Sequence, residues 1–337
     1  MHRVQSIPAN IRPSYKTACT FASLAYYVRA LKARGYRTPA PDPFSTTPRN
    51  HRFCQCKMKT LVKKTIILAV NAGSSSVKIS VYSAEQGQSP IRIAEAQVNG
   101  LTAPPASLKY QRGDRTIFEN REVDGKVGSQ RDAFSLILDT LIGDHDMPDI
   151  QNKDDIGIIC HRIVHGGDYT KPQLISDGTY HHLEDLNDLA PLHNANSLGI
   201  VQLCIQALPT ARNVACFDSQ FHATIPEHIR TYPIDQEVAR NNRLRKYGFH
   251  GISYSFITRA TAEFLGKPRD DVHIIALHLG SGASACAIRG GKSWDTSMGL
   301  TPLAGLPGAT RSGSVDPRQV VCPFSLFPVL HRPLSFT

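Results

Sequence analysis

The chain has 337 residues, 41% hydrophobic and 20% charged, a globular composition long enough for about two domains. No apolar run reaches the ~20 residues of a membrane span. The net charge of +10 sits at one end: residues 1–64 hold thirteen Lys/Arg against one acid, Asp42, while the remainder holds 25 basic and 27 acidic residues, so the body is near neutral and nothing in it argues for a nucleic-acid surface.

Residues 1–64 are Arg-rich, Ser/Thr-rich and nearly free of acid. An organelle transit peptide has this composition, and so does an unstructured leader or upstream sequence wrongly joined to the start. Met58 opens "MKTLVKKTIILAV", which looks like a natural beginning. The segment is expected to be disordered, and the protein cytoplasmic, with a mitochondrial location as the alternative.

"ILAVNAGSSSVKISVY", residues 67–82, reads as a strand, a Gly/Ser loop and a second strand. Residues 91–127 are strand-like and polar, with turn signals at Gly113-Asp114 and Asp124-Gly125. Residues 131–143 carry helix spacing, with Phe134, Ile137, Leu138 and Leu141 on one face. "DIGIICHRIVHGG" reads as a buried strand leading into a Gly-Gly loop. "APLHNANSLGIVQLCIQALP" reads as a polar entry and then a helix that ends before Pro209. "NVACFDSQFHATIP" is a strand ending in a polar loop, "GFHGISYSFITRATAEFLG" a loop and then a helix. "VHIIALHLGSGASACAIRGGKSW" returns to strand, loop, strand. The cysteines at 19, 54, 56, 160, 204, 216, 286 and 322 form no CxxC pair, and Cys54 and Cys56 have no second pair at zinc spacing. Most lie among apolar residues, so buried reduced thiols are expected.

The last hairpin echoes the first. With "LAVNAGSSSVKISV" set over "IALHLGSGASACAI", Gly73 falls on Gly280, and small polar residues precede an apolar strand in both. Two copies about 200 residues apart suggest two domains on one plan. Each turn could present backbone N–H groups to an anion. Neither is a Walker loop or a Rossmann fingerprint, because the glycine turn joins two strands rather than a strand and a helix.

Other segments combine Arg, His and Asp with glycine: "HRIVHGG", "PLHNAN", "FDSQFH", "YGFHGIS" and "PGATRSGSVDP". An Arg fork donates two parallel charge-assisted hydrogen bonds to a carboxylate or phosphoryl group, so Arg162, Arg311 and His250 could surround a group passing between anions. The plainer readings are that Arg162 makes a surface ion pair, that Asp218 caps the next segment, and that His161, His165, His181, His182 and His222 are structural or solvated. No GxSxG elbow supports serine-hydrolase chemistry.

Taken in order, "NAGSSSVK", "HRIVHGG", "PLHNAN", "FDSQFH", "YGFHGIS", "HLGSGAS" and "MGLTPLAGLPGATRSG" resemble the acetate kinases, the acetokinase family, over roughly residues 65–320. The resemblance implies an α/β fold of the actin, Hsp70 and sugar-kinase type, in which two related ribonuclease-H-like domains close over ATP. It implies an N-terminal domain over 65–215, the first part of a C-terminal ATP-binding domain over 216–320, and a non-family tail over 321–337. The reaction implied is reversible transfer of the ATP γ-phosphoryl to acetate, with Mg2+ as cofactor. By matching motif, Asn71 would help hold the metal. Ser74, Ser76, Lys78 and the run His278, Leu279, Gly280, Ser281 and Gly282 would meet the nucleotide phosphates. Arg162 would grip the acetate carboxylate, and Val164, Leu192, Phe249 and Pro302 would hold its methyl. His193, His250 and Arg311 would stabilise the transferring phosphoryl, and Asp218 would orient an arginine or the metal. Acetate and ATP are the partners expected, with no nucleic acid and no membrane. The family is usually dimeric, which makes a homodimer a further expectation.

Three features depart from the family pattern. Ser281 stands where the family commonly has Asn, and Ser314 where it has Asp. After Pro317 the resemblance fades, whereas the family continues into adenosine-binding segments and a metal-site glutamate. The expectation is therefore an incomplete second domain in a chain truncated at its C-terminus. The alternatives to an acetate kinase are a truncated, inactive product of the family and a propionate or butyrate kinase.

Overall fold

The structure, a computed structural model, describes residues 64–73, 75–85, 88–123, 125, 127–186 and 191–316, with no side-chain detail at 191–193 and 195. The expected leader, the tail and Cys19, Cys54, Cys56 and Cys322 lie outside the described residues, as does Ser74. The described residues form two compact units: residues up to 163 with 172–185 and 192–216, and residues 164–171, 186, 191 and 217 onward. Residues 164–171 belong to the second unit although they precede it in sequence, because the Gly166-Gly167 loop leaves the strand before it.

The first unit is built on an eight-stranded sheet ordered β5-β4-β3-β2-β1-β6-β8-β7. The strands are β1 (Thr65–Ala72), β2 (Ser76–Ala84), β3 (Ile91–Asn99), β4 (Ser107–Arg112), β5 (Arg115–Glu122), β6 (Ile156–Ile163), β7 (Gln173–Leu174) and β8 (Arg212–Phe217). β1 pairs antiparallel with β2 and parallel with β6. Central strands are covered on both faces, which is why "TIILAV" reads as one apolar run. β5, "RTIFENRE", lies at the edge and is almost wholly exposed, its charges discouraging further strand addition.

Helix α1 (Gln130–Ile142) buries Phe134, Ile137, Leu138 and Leu141, the face the spacing predicts. Ser129 and Asp132 form a capping box at its start, with Asp132 N–H donating to Ser129 Oγ over 3.2 Å and Ser129 N–H to Asp132 Oδ2 over 3.1 Å. Each fully buried side chain of this face contributes roughly 1.5–3 kcal/mol. After α2 (Asp177–Asp185), helix α3 runs Pro191–Ala207. The "PLHNAN" segment expected as a polar entry is therefore already helical: Pro191 is the first helical residue, where its missing N–H costs nothing. Cys160, Cys204, Cys216 and Cys286 are buried free thiols, as expected.

The second unit carries helices α4 (Glu227–Arg230), α5 (Gln236–Asn241) and α6 (Gly251–Leu265), and a three-stranded sheet ordered β11-β10-β9. Its strands are β9 (Ile274–Leu279), β10 (Ala283–Arg289) and β11 (Lys292–Thr296). Phe221, Tyr254 of α6, and Ala276, Cys286 and Ile288 of the sheet form one core cluster; Tyr247, Phe249 and Met298, with Val164 and Leu300 against them, form another.

The two hairpins share a plan but not a loop length. In the first, Ala72 faces Val77 and Asn71 faces Lys78. In the second, Leu279 faces Ala283 and His278 faces Ser284. Gly73 and Gly280 correspond as the sequences suggest, but the second loop is one residue shorter, so the residue equivalent to Lys78 in the second hairpin is Ser284 and not Ala285. A one-residue shift moves each side chain to the opposite face.

Candidate active site

In the first unit, Asn71 and Arg162 sit near the ends of the adjacent strands β1 and β6, and Arg162 Nη1 donates to Asn71 Oδ1 over 3.4 Å. The glycine turn beside them is pinned. Gly73 N–H donates to Ser76 C=O over 2.8 Å, and Gln130 Nε2 donates to Gly73 C=O over 2.7 Å. Ser76 is half-buried at the start of β2. Leu192 and His193 lie in the first turn of α3, with side chains outside the description.

Lys78, expected to meet the nucleotide phosphates, lies on β2 opposite Asn71. Its ammonium is buried on the sheet and paired with Glu95 of β3 at 2.6 Å. Ser80 and Arg92 donate to the other carboxylate oxygen over 3.0 and 3.2 Å. Register explains the pairing: Lys78 and Ser80 point to one face of β2, and Glu95, opposite Ser80, to the same face of β3. Burial lowers the Lys78 pKa, with Glu95 pulling it back up.

The structural reading holds for two of the histidines. His161 Nε2 meets Asn213 Oδ1 at 2.8 Å inside the first unit. In the second, His222 is bonded through Nδ1 to Ser293 Oγ at 2.8 Å and through Nε2 to Phe249 C=O at 2.9 Å. Burial pushes each ring down to about 4. Both rings therefore resist a proton that the unfolded chain accepts near 6.5, and stability falls as pH drops from 6.5 to 4, by about 3 kcal/mol per ring. Urea unfolding across that range should show His161→Gln with the shallower pH dependence, by one proton. An unchanged slope would refute the assignment.

In the second unit, Asp218 follows β8 and is 1% exposed. Its C=O accepts the Gly251 N–H over 2.8 Å, and a Cβ on Gly251 would lie 2.2 Å from that oxygen, so only glycine fits. Ser219, not Asp218, occupies the cap position of the next turn, and its Oγ accepts the Gly166 N–H over 3.1 Å instead of capping that turn. His250, at the start of α6, takes the left-handed conformation at φ 61°, an uncommon state for a residue with a side chain and one concentrated at functional sites. Its ring stacks on His278 of β9, centroids 4.0 Å apart at 25°. His250 Nδ1 lies 2.8 Å from Ser284 Oγ, and His278 Nδ1 lies 2.9 Å from Ser253 Oγ.

The turn after β9 meets these side chains. A Cβ on Gly282 would stand 2.8 Å from Arg311 Nη2 and 3.2 Å from His250 Nε2. Arg311 Nη1 donates to Pro302 C=O over 3.0 Å, and Ala309 N–H to Ser281 C=O over 2.8 Å. The bare backbone of Gly282 thus faces an imidazole and a guanidinium together, while Leu279 is exposed on β9 and the Gly280 N–H bonds to Gly282 C=O at 3.0 Å. Val164 packs beside Phe249 in the apolar cluster, and Pro302 is buried.

The sequence profile of the acetokinase family matches residues 66–323.

The chain belongs to the acetokinase family.

Among curated relatives, a "Probable acetate kinase" of Chaetomium globosum is 82% identical over 257 residues, covering 76% of this chain and 56% of that protein. An "Acetate kinase" of Clavibacter michiganensis is 40% identical over 253 residues, covering 75% of this chain and 61% of that one. The chain therefore spans less than two thirds of those relatives. Among solved structures, Porphyromonas gingivalis acetate kinase superposes with a TM-score of 0.65 at 32% identity, covering 78% of this chain and 64% of that one. A Francisella tularensis propionate kinase gives 0.67 at 32% identity, covering 77% and 64%. The actin-like α/β fold expected of the family is thus the fold of this chain.

Within each unit the structure brings some of the expected residues together: Asn71 with Arg162 in the first, and His250, His278, Gly282, Pro302 and Arg311 in the second. It adds Ser253, Tyr254 and Ser284 around the two stacked histidines, and Glu95 as the partner of Lys78. Ser253 and Tyr254 had a readable signal, since at three and four residues past His250 they share its side of a helix turn. Glu95 and Ser284 had none, because strand register decides whom they meet.

Proposed function

We propose that the protein is an acetate kinase, transferring the ATP γ-phosphoryl to acetate to give acetyl phosphate and ADP, reversibly. The observation that carries this reading is the convergence of Arg311 Nη2 and His250 Nε2 on the bare backbone of Gly282. A carboxylate is already a nucleophile, so its phosphorylation needs no strong base. The barrier lies in bringing two anions together, and fixed positive and N–H donors answer it. In the first unit we assign Arg162 to the acetate carboxylate, Leu192 to its methyl and His193 to the phosphoryl in flight; in the second we assign Val164, Phe249 and Pro302 to the methyl and Arg311 and His250 to the phosphoryl. Asp218 orients the cationic groups. Ser74, Ser76 and the 278–282 turn bind the nucleotide phosphates.

Mg2+ usually binds through one or two carboxylates plus phosphates and water, and here the first unit would offer it one neutral amide oxygen, the phosphates supplying the charge. Asn71 Oδ1 is such an oxygen, already on the Arg162 guanidinium. When bound, the ion would neutralise phosphate charge.

Residues 1–337, purified from a host lacking its own acetate kinase, should form hydroxylamine-trapped acetyl phosphate only with ATP, Mg2+ and acetate together. A single extra methylene in an apolar pocket changes specificity by about 10–200-fold. Acetate should exceed propionate in kcat/KM by that order, and equal use would favour the propionate reading. Folded protein forming no acyl phosphate would overturn the assignment.

A further inference from the structure

Behind His250 lies a buried relay that the proposed chemistry leaves unused. Tyr254, in the first turns of α6, and Ser284, on β10, are fully buried. Tyr254 Oη lies 2.5 Å from Ser284 Oγ, and Ser284 Oγ lies 2.8 Å from His250 Nδ1. Each hydroxyl has one proton to give. The phenol is the stronger acid of the two and hence the better donor, and burial keeps it protonated. With the Tyr254 proton directed at Ser284, the serine proton is left for the imidazole.

We propose that Tyr254 and Ser284 are positioning residues that fix the neutral His250 ring with Nδ1 as acceptor and its hydrogen on Nε2. Nε2 is the atom that faces Gly282 beside Arg311 Nη2. In this tautomer it presents an N–H to an arriving anion; in the other it would present a lone pair. The left-handed backbone of His250 and its stack on His278 hold the ring plane, so the hydroxyl relay chooses only the proton's position. This inference rests on the phosphoryl-transfer reading for its purpose, not for its geometry.

The test is long-range 15N–1H correlation on the full chain carrying 15N-histidine near pH 7.5, with the His250 signals identified by their loss in His250→Gln. The expected result is a single tautomer with Nε2 protonated. Ser284→Ala should give a mixed-tautomer ring and lower kcat for acetyl phosphate by about 10–100-fold, the usual cost of losing a partner that orients a functional histidine. Its KM for acetate should stay within about twofold, a split expected when only transition-state binding is lost. Ser284→Thr, which keeps the hydroxyl, should restore both, and Tyr254→Phe should fall between. Nδ1–H in the wild-type chain, or an unchanged tautomer in Ser284→Ala, would overturn the proposal. Because the tautomer is read in the free protein, Nε2–H in a chain without kinase activity would sink only the functional reading. Nδ1–H in an active chain would sink only this one.

Discussion

Arg311→Ala is expected to lower kcat for acetyl phosphate formation by about 100- to 1,000-fold, the cost of removing one preorganised donor from a developing anion. The loop that carries Arg311 is closed without its guanidinium. Gly308 N–H bonds to Arg311 C=O, and Ser314 N–H to Gly305 C=O, both at 2.8 Å. Ser314 Oγ also accepts the Gly305 N–H over 2.9 Å, so the serine that stands in place of the family's aspartate still pins the loop. Truncation at Cβ therefore removes the charge and leaves the backbone. The side-chain bond lost is the one to Pro302 C=O. KM for acetate should change little, because the role proposed for Arg311 is on the phosphoryl in flight. Arg311→Lys should recover only part of the loss, since an ammonium cannot reproduce the planar fork. Steady-state kinetics of the three proteins decide the matter: Arg311→Ala within threefold of wild type would remove this residue from the chemistry.

The residues that were legible in the sequence are those whose chemistry is local. Helix α1 could be read because Phe134, Ile137, Leu138 and Leu141 share one face, and the Gly73 and Gly280 turns because glycine sits between two apolar runs. The gathering of His250, Arg311 and Gly282 followed from the family's motifs; spacing alone does not bring residues sixty apart together. What stayed hidden depends on strand register and on the chain's path between units. Nothing in "SVKISV" says that Lys78 faces Glu95, because Glu95 arrives from a neighbouring strand after a turn. Nothing in "HLGSGAS" says that its loop is one residue shorter than the first, since an ungapped overlay of the two hairpins already looks convincing. The departure of residues 164–171 into the second unit is equally silent, for a Gly-Gly loop marks a turn and not a destination.

Glu95→Gln tests the most consequential of those hidden contacts and should cost about 3 kcal/mol of first-unit stability at pH 7, the low end of the range for breaking a buried ion pair from one side. The side chains of Lys78 and Glu95 are 6% and 12% exposed, so water screens them little. In the variant, Lys78 faces Arg92 without the carboxylate that served both. The pH dependence has a definite sign. The folded Lys78 pKa lies below 10.5, so the unfolded chain holds the extra proton and stability rises as pH climbs toward 10.5. Loss of Glu95 lowers the folded pKa further, since both of its influences raise it. The deficit of Glu95→Gln relative to wild type should therefore shrink between pH 7 and pH 9.5 in urea unfolding, and a deficit that grows would refute the buried-pair account. Replacing both partners, as Lys78→Met with Glu95→Leu, should restore most of the stability, because neither charge is then left buried alone. The double variant also decides what Lys78 does. An ammonium devoted to the sheet leaves KM for ATP within about twofold, whereas a uniform loss of phosphate binding would raise KM about tenfold with kcat unchanged and return Lys78 to the nucleotide.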